Sequence, residues 1–151
     1  MIDHLMKPEW IELALRTPFL MVASDGLQYA PGAHPRSAGT FSRFLGYYVR
    51  ELELMPLIEA VAKVSLMPAQ RLQKVAPMMA RKGRIQVGAD ADITVFAPGH
   101  IIDTATFEED LSFSEGVEHV LVNDMFVVRD GETIEGARPG RPVLGKMYAG
   151  G

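Results

Sequence analysis

The sequence predicts an α/β protein in two parts, and three observations carry that reading. A near-continuous apolar run, Phe19 to Ser24, stands ahead of a long stretch with helical periodicity from Thr40 to Val75. After Lys82-Gly83 the apolar period falls to two, the spacing of strands. The division is therefore expected at residues 1–82 and 83–151.

The elements follow in order. Pro8 to Leu15 carries Trp10, Ile11, Leu13, Ala14 and Leu15, with Pro8 at the first helical position and Thr17-Pro18 as the stop, so a short helix is expected. Phe19 to Ser24 is read as a strand. Its lack of polar alternation suits a strand covered on both faces, as in a parallel sheet wrapped by helices. From Thr40, taken as an N-cap, Phe41, Phe44, Leu45, Tyr48, Val49 and Leu52 recur at three- and four-residue steps. Pro56 opens a further helix with Leu57, Ile58, Ala60, Val61 and Val64. Pro68 opens a third, Ala69 to Val75, after a break at Ser65-Leu66-Met67.

Beyond Gly83, Ile85 and Val87 are expected to alternate with Ile93, Val95 and Phe96 around the turn 88–92. Val117 to Val122 pairs with Met125 to Arg129 as a hairpin. Asn123-Asp124 forms its turn, because Asn and Asp tolerate positive φ, although Gly would fit more easily at 124. The tail from Gly136 is rich in Pro and Gly.

Composition excludes several classes. The 151 residues are 48% hydrophobic, enough for one domain with a core. The net charge of −4 comes without a basic stripe, which argues against nucleic acid as a partner. Cysteine is absent, which removes disulfides and thiolate chemistry and suits a cytoplasmic location. No apolar run approaches the roughly 20 residues that span a bilayer. Met1 to Lys7 has no basic segment followed by a long apolar one, so neither membrane nor export is expected.

Asp25 places a carboxylate at the C-terminal end of the expected strand, where α/β barrels keep their chemistry. Eleven positions on, Arg36 follows a loop rich in Gly and Pro, a potential anion clamp. One acid and one arginine do not make a hydrolytic centre. Read alone, Asp25 before Gly26 is a turn residue and Arg36 a solvent-facing arginine near a helix start. His34 in its Pro-rich turn is a hydrogen-bonding residue before it is a ligand. Asp90 and Asp92 are turn formers, the tyrosines at 47 and 48 are core, and the methionines are gap fillers. Gly83 and Gly88 lack the spacing of a phosphate cradle.

Taken together, Ser24-Asp25-Gly26-Leu27, His34-Pro35-Arg36, Gly39-Thr40-Phe41, Leu45-Gly46, Gly83-Arg84-Ile85, Gly88-Ala89-Asp90-Ala91-Asp92, Val120-Leu121-Val122-Asn123 and Gly136-Ala137-Arg138-Pro139-Gly140 resemble the C-terminal part of the amidohydrolase superfamily. The branch is that of the N-acyl-D-amino-acid deacylases, or D-aminoacylases. The resemblance runs from about Phe19 to Leu144. It implies a C-terminal fragment of a metal-dependent (β/α)8 barrel, the last strand with its following helices, plus a small β-sandwich portion.

It further implies hydrolysis of linear amide C–N bonds, with N-acyl-D-amino acids as small-molecule substrates once the missing barrel is supplied. Asp25 would shuttle the proton of a metal-bound water and Arg36 would grip the substrate α-carboxylate. Zinc is expected in a complete member and no cofactor in this chain alone. The four histidines, His4, His34, His100 and His119, include no His-x-His pair. The resemblance implies Asp25 as a candidate metal contact, the other ligands being absent from this chain. The alternative is a catalytically inactive remnant or interaction module. A cyclic ureide or dihydropyrimidine substrate is a third reading, which Arg36 makes less attractive than a free carboxylate. An oligomer or a complementing chain is the expected protein partner, and Met1 as a downstream start in a longer reading frame is a further expectation.

Overall fold

A computed structural model describes residues 6–27, 32 and 34–148. Helix α1, Pro8–Leu15, has Pro8 in its first turn, where a missing N–H costs nothing, and Leu15 as its buried anchor. Helix α2, Arg36–Arg43, starts four residues before the expected cap. Pro35 already holds helical φ and ψ of −52° and −26°. Thr40 Oγ1 instead donates to the Arg36 carbonyl at 2.8 Å, a bond internal to the helix. The same rod continues as a π-helix over Phe44–Glu51, which buries Phe44, Leu45, Gly46 and Val49.

Helix α3, Leu57–Val64, follows Pro56 as expected. Helix α4, Leu66–Leu72, begins two residues before Pro68, because Ser65 alone makes the break with φ −131° and ψ −75°. Pro68 then falls in the first turn, where the lost donor has no intrahelical partner. A 3₁₀ turn, Pro77–Arg81, closes the helical part.

The Phe19 to Ser24 strand, and with it the parallel sheet, is not formed: no backbone ladder includes these residues. Their burial nevertheless alternates, with Leu20, Val22 and Ser24 half-buried while Met21 and Ala23 are exposed and Phe19 is 80% exposed. Period two is the mark of extended chain. The expectation of cover on both faces failed because helices lie against one face only. On that face Leu20 and Val22 pack into the core. Lys63, fully buried on α3, donates from Nζ to the carbonyls of Thr17 (2.6 Å) and Leu20 (3.3 Å). The Val22 N–H donates in turn to the Lys63 carbonyl at 3.3 Å.

The second part is an antiparallel sheet in the order β1-β2-β3-β4: β1 Ile93–Phe96, β2 Val117–Val122, β3 Met125–Arg129 and β4 Glu132–Thr133. The hairpin at Asn123-Asp124 has φ of 47° and 64°, positive at both positions as a type I′ turn requires. Val122 pairs with Met125 across it. The next turn, Asp130-Gly131, repeats the device with φ of 53° and 79° and creates β4. Ile85 and Val87, expected to alternate in a strand, are 88% and 103% exposed and unpaired in any sheet. Gly83, at φ +68°, turns the chain against the Ser65 carbonyl, and the Asp90 N–H returns to the Arg81 carbonyl at 3.0 Å, so this stretch folds back on the helices.

One core joins both parts: Leu15, Phe44, Leu45, Val49, Leu54, Met55 and Ala60 pack with Ile101, flanked by Phe96 and Val117. Phe44, at 2% exposure, contributes on the order of 2–3 kcal/mol by its burial. Among the described residues no barrel is present, and no helix is long and apolar enough to cross a membrane.

Candidate active site

Asp25 ends the extended segment in a left-handed conformation, φ +48°, uncommon for a residue with a side chain. Ser24 Oγ accepts the Gly26 N–H at 3.3 Å, and the Leu27 N–H donates to Ser37 Oγ at 3.2 Å. The turn thus lies flat on the start of α2. Gly26 permits the approach, since a Cβ there would stand 2.8 Å from Ser37 Cα.

This docking brings the two sequence candidates together. Arg36, first residue of α2, places Nη2 2.8 Å from Asp25 Oδ2, and its Nε donates to the Asp25 main-chain carbonyl at 3.1 Å. The guanidinium fork therefore holds both the side chain and the backbone of Asp25. The carboxylate is 85% exposed and the guanidinium 46%, so the pair contributes no more than about 1 kcal/mol. The pair is thus a weakly held surface contact. A hollow of about 580 Å³ lies elsewhere, between the helices and the sheet, lined by Phe41, Leu45, Ile58, Val61 and Phe96. The acid–arginine pair instead sits on an open face.

The remaining candidates have structural places. Asp90 and Asp92 share Lys82, whose Nζ lies 3.1 Å and 2.5 Å from their carboxylates, and Asp92 Oδ1 accepts the Asn123 N–H at 2.9 Å. The hydrogen bond to Asp92, with Asp90 adding to it, holds the Lys82 ammonium above its ordinary 10.5 against the opposing pull of burial. Burial pushes the Asp92 carboxyl up, but the Lys82 hydrogen bond, the Asn123 amide and the Lys82 charge together bring it below 3.8. This network ties the 82–92 turn to the β2–β3 hairpin.

His119 Nδ1 accepts the Asp130 N–H at 3.1 Å, and His4 lies outside the described residues. Among the described residues no group of three or more His, Cys, Asp or Glu could hold a metal ion. These residues do not fit a metal centre, and Asp25 supplies one carboxylate toward it at most. Sequence reasoning missed Lys63, a cation set among the apolar residues of α3, which offered a weak signal. It also missed the β1–β2 loop, whose Asp103, Phe107 and Asp110 reach the start of α2. Nothing in their spacing pointed there.

A family model described as the amidohydrolase family matches residues 8–128, and the chain belongs to that family. It is 44% identical over 121 residues to an N-acyl-D-glutamate deacylase of Alcaligenes xylosoxydans xylosoxydans, covering 80% of this chain and 23% of the relative. To a D-aminoacylase of the same organism it is 40% identical over 129 residues, covering 85% and 25%. The chain thus spans about a quarter of the length of these curated relatives. A crystal structure of D-aminoacylase superposes with a TM-score of 0.84 at 36% identity, covering 91% of this chain and 28% of that one. The N-acyl-D-glutamate deacylase of Bordetella bronchiseptica, solved with zinc and a phosphonate mimic of the tetrahedral intermediate, does so with 0.81 at 38%, again covering 91% and 28%.

Proposed function

We propose that the chain is the C-terminal part of a metal-dependent hydrolase of linear amide C–N bonds acting on N-acyl-D-amino acids. In the complete hydrolase, residues 1–82 would supply the last barrel strand, which this chain alone leaves as an unpaired extended segment, with its helices, and 83–151 the sandwich portion. The observation that carries this is the 2.8 Å pair of Asp25 and Arg36 at the end of the extended segment. Its support is the similarity to the deacylases.

In this reading the substrate α-carboxylate takes the Arg36 fork and releases Asp25. Asp25 accepts a proton from the water whose oxygen bonds to the amide carbon, then returns it to the nitrogen as the C–N bond breaks, leaving an amine and an acid. Bidentate capture of the carboxylate fixes substrate handedness. The cysteine-free composition supports a cytoplasmic location.

A second reading applies to the isolated chain: without a metal-ligand set among the described residues, it is an inactive remnant or an interaction module. The test places this chain in the matched segment of the N-acyl-D-glutamate deacylase and assays the zinc-loaded chimera. Hydrolysis of N-acyl-D-amino acids is expected, with Asp25→Asn retaining zinc and losing roughly 10²–10⁴-fold in kcat. Undiminished turnover in that variant would remove the shuttle role. A folded, zinc-loaded but inert chimera would establish the second reading.

A further inference from the structure

We propose that the β1–β2 loop sets the reach of Arg36, with His34 and Phe107 as positioning residues for substrate carboxylate capture; this rests on the clamp role proposed above. His34 Nδ1 accepts the Arg36 N–H at 3.1 Å, so the first residue of α2 is tied at its backbone to the imidazole two positions before it. An accepting Nδ1 leaves the ring proton on Nε2. The ring in turn meets Phe107 edge to face, with centroids 5.1 Å apart and planes at 77°. Phe107 belongs to the β1–β2 connection, far from Arg36 in sequence.

Three further contacts fix that loop on both sides of Arg36. The Asp110 carboxylate, in a residue only 5% exposed, accepts the Gly32 N–H at 3.3 Å. Asp103 lies across α2 at Gly39, where an added Cβ would stand 2.7 Å from Asp103 Cβ. Its Oδ2 meets Arg43 Nη1 at 3.4 Å. The loop therefore grips the chain before Arg36 and the helix after it, and the His34–Phe107 contact is its nearest approach in sequence to the guanidinium. Displacing the imidazole removes the acceptor that orients the Arg36 backbone. The fork then reaches Asp25 and the substrate from a different origin. The effect belongs to binding of a free carboxylate and not to proton transfer.

The experiment uses the zinc-loaded chimeric barrel, with an N-acyl-D-glutamate and its α-amide, which lacks the free α-carboxylate. Arg36→Met is the reference for loss of the clamp. His34→Ala and Phe107→Ala are expected to raise KM for the acid roughly five- to tenfold, the scale of one hydrogen bond, with kcat within about twofold. KM for the α-amide stays within about twofold. His34→Asn, whose amide oxygen takes the place of Nδ1, restores KM, whereas His34→Gln, whose oxygen takes the place of Nε2, does not. That Asn and Gln pair keeps the comparison meaningful if an alanine variant folds poorly.

The inference is overturned alone if Arg36→Met raises KM for the acid while the His34 and Phe107 variants leave it unchanged. Equal losses on acid and α-amide, or equal behaviour of Asn and Gln at 34, overturn it as well by showing a merely structural role. If Arg36→Met itself leaves KM for the acid unchanged, the clamp reading falls and this proposal with it.

Discussion

Gly46→Ala inverts the usual consequence of filling a helical glycine. In an ordinary helix the substitution gains about 0.5–1 kcal/mol. Here the new Cβ would stand 2.3 Å from the Ile101 carbonyl oxygen and 2.8 Å from Ile102 Cδ1. Ordinary contact needs roughly 3.5 Å, so the Ile101 backbone has to retreat by about 1 Å. Ile101 is 3% exposed and belongs to the shared core, and its carbonyl accepts Arg50 Nη1 at 2.6 Å. Overpacking costs about 1–3 kcal/mol, and weakening a charge-assisted hydrogen bond adds about 1.5–3 before discounting for partial exposure. The net expectation is a loss of about 2–4 kcal/mol, a fall in Tm on the order of 10 °C for a chain of this size. Thermal and urea unfolding of the 151-residue polypeptide at low concentration, followed by circular dichroism, reads it directly. Unchanged or raised stability would show that the π-helix and the β1–β2 connection at Ile101 are not in contact as described.

Two more expectations concern stability and association. The Lys82 ammonium is held above 10.5 and the Asp92 carboxyl below 3.8, so their link is complete between those values. It fades as pH falls through the lowered Asp92 value and as pH rises through the raised Lys82 value. Lys82→Met should cost about 1 kcal/mol at neutral pH and should converge with the unsubstituted protein in acid. A constant gap at every pH would contradict the linkage. The exposed row formed by Phe19 and Met21, 80% and 37% accessible, should drive the isolated chain to self-associate. Phe19→Ser with Met21→Lys should then shift sedimentation toward monomer, and an unsubstituted chain that is monomeric from the outset would refute this.

Local chemistry decided which elements were legible. Helix α1 was readable to the residue because proline marks its start and Thr17-Pro18 its end. The Asn123-Asp124 hairpin was readable because its turn needs two left-handed residues. The Asp130-Gly131 turn carries an even stronger signal of the same kind and was passed over, and β4 was missed with it. The start of α2 was misplaced because Thr40 uses its hydroxyl within the helix, which no single position reveals. Phe19 to Ser24 reads as a two-sided strand because its composition answers to neighbours that these residues do not supply. The meeting of Asp25 and Arg36 was legible through the family resemblance, since the ten residues between them leave their distance undetermined.

The amine of Lys63 gives the extended segment its address. The backbone leading to Asp25 is moored by Thr17 and Leu20 to a helix that comes some forty residues later, with Val22 closing the loop back onto residue 63. In any exchange of segments between relatives, the stretch 17–25 and helix α3 must therefore travel together. A graft that carries Asp25 but leaves its mooring behind would set the carboxylate adrift.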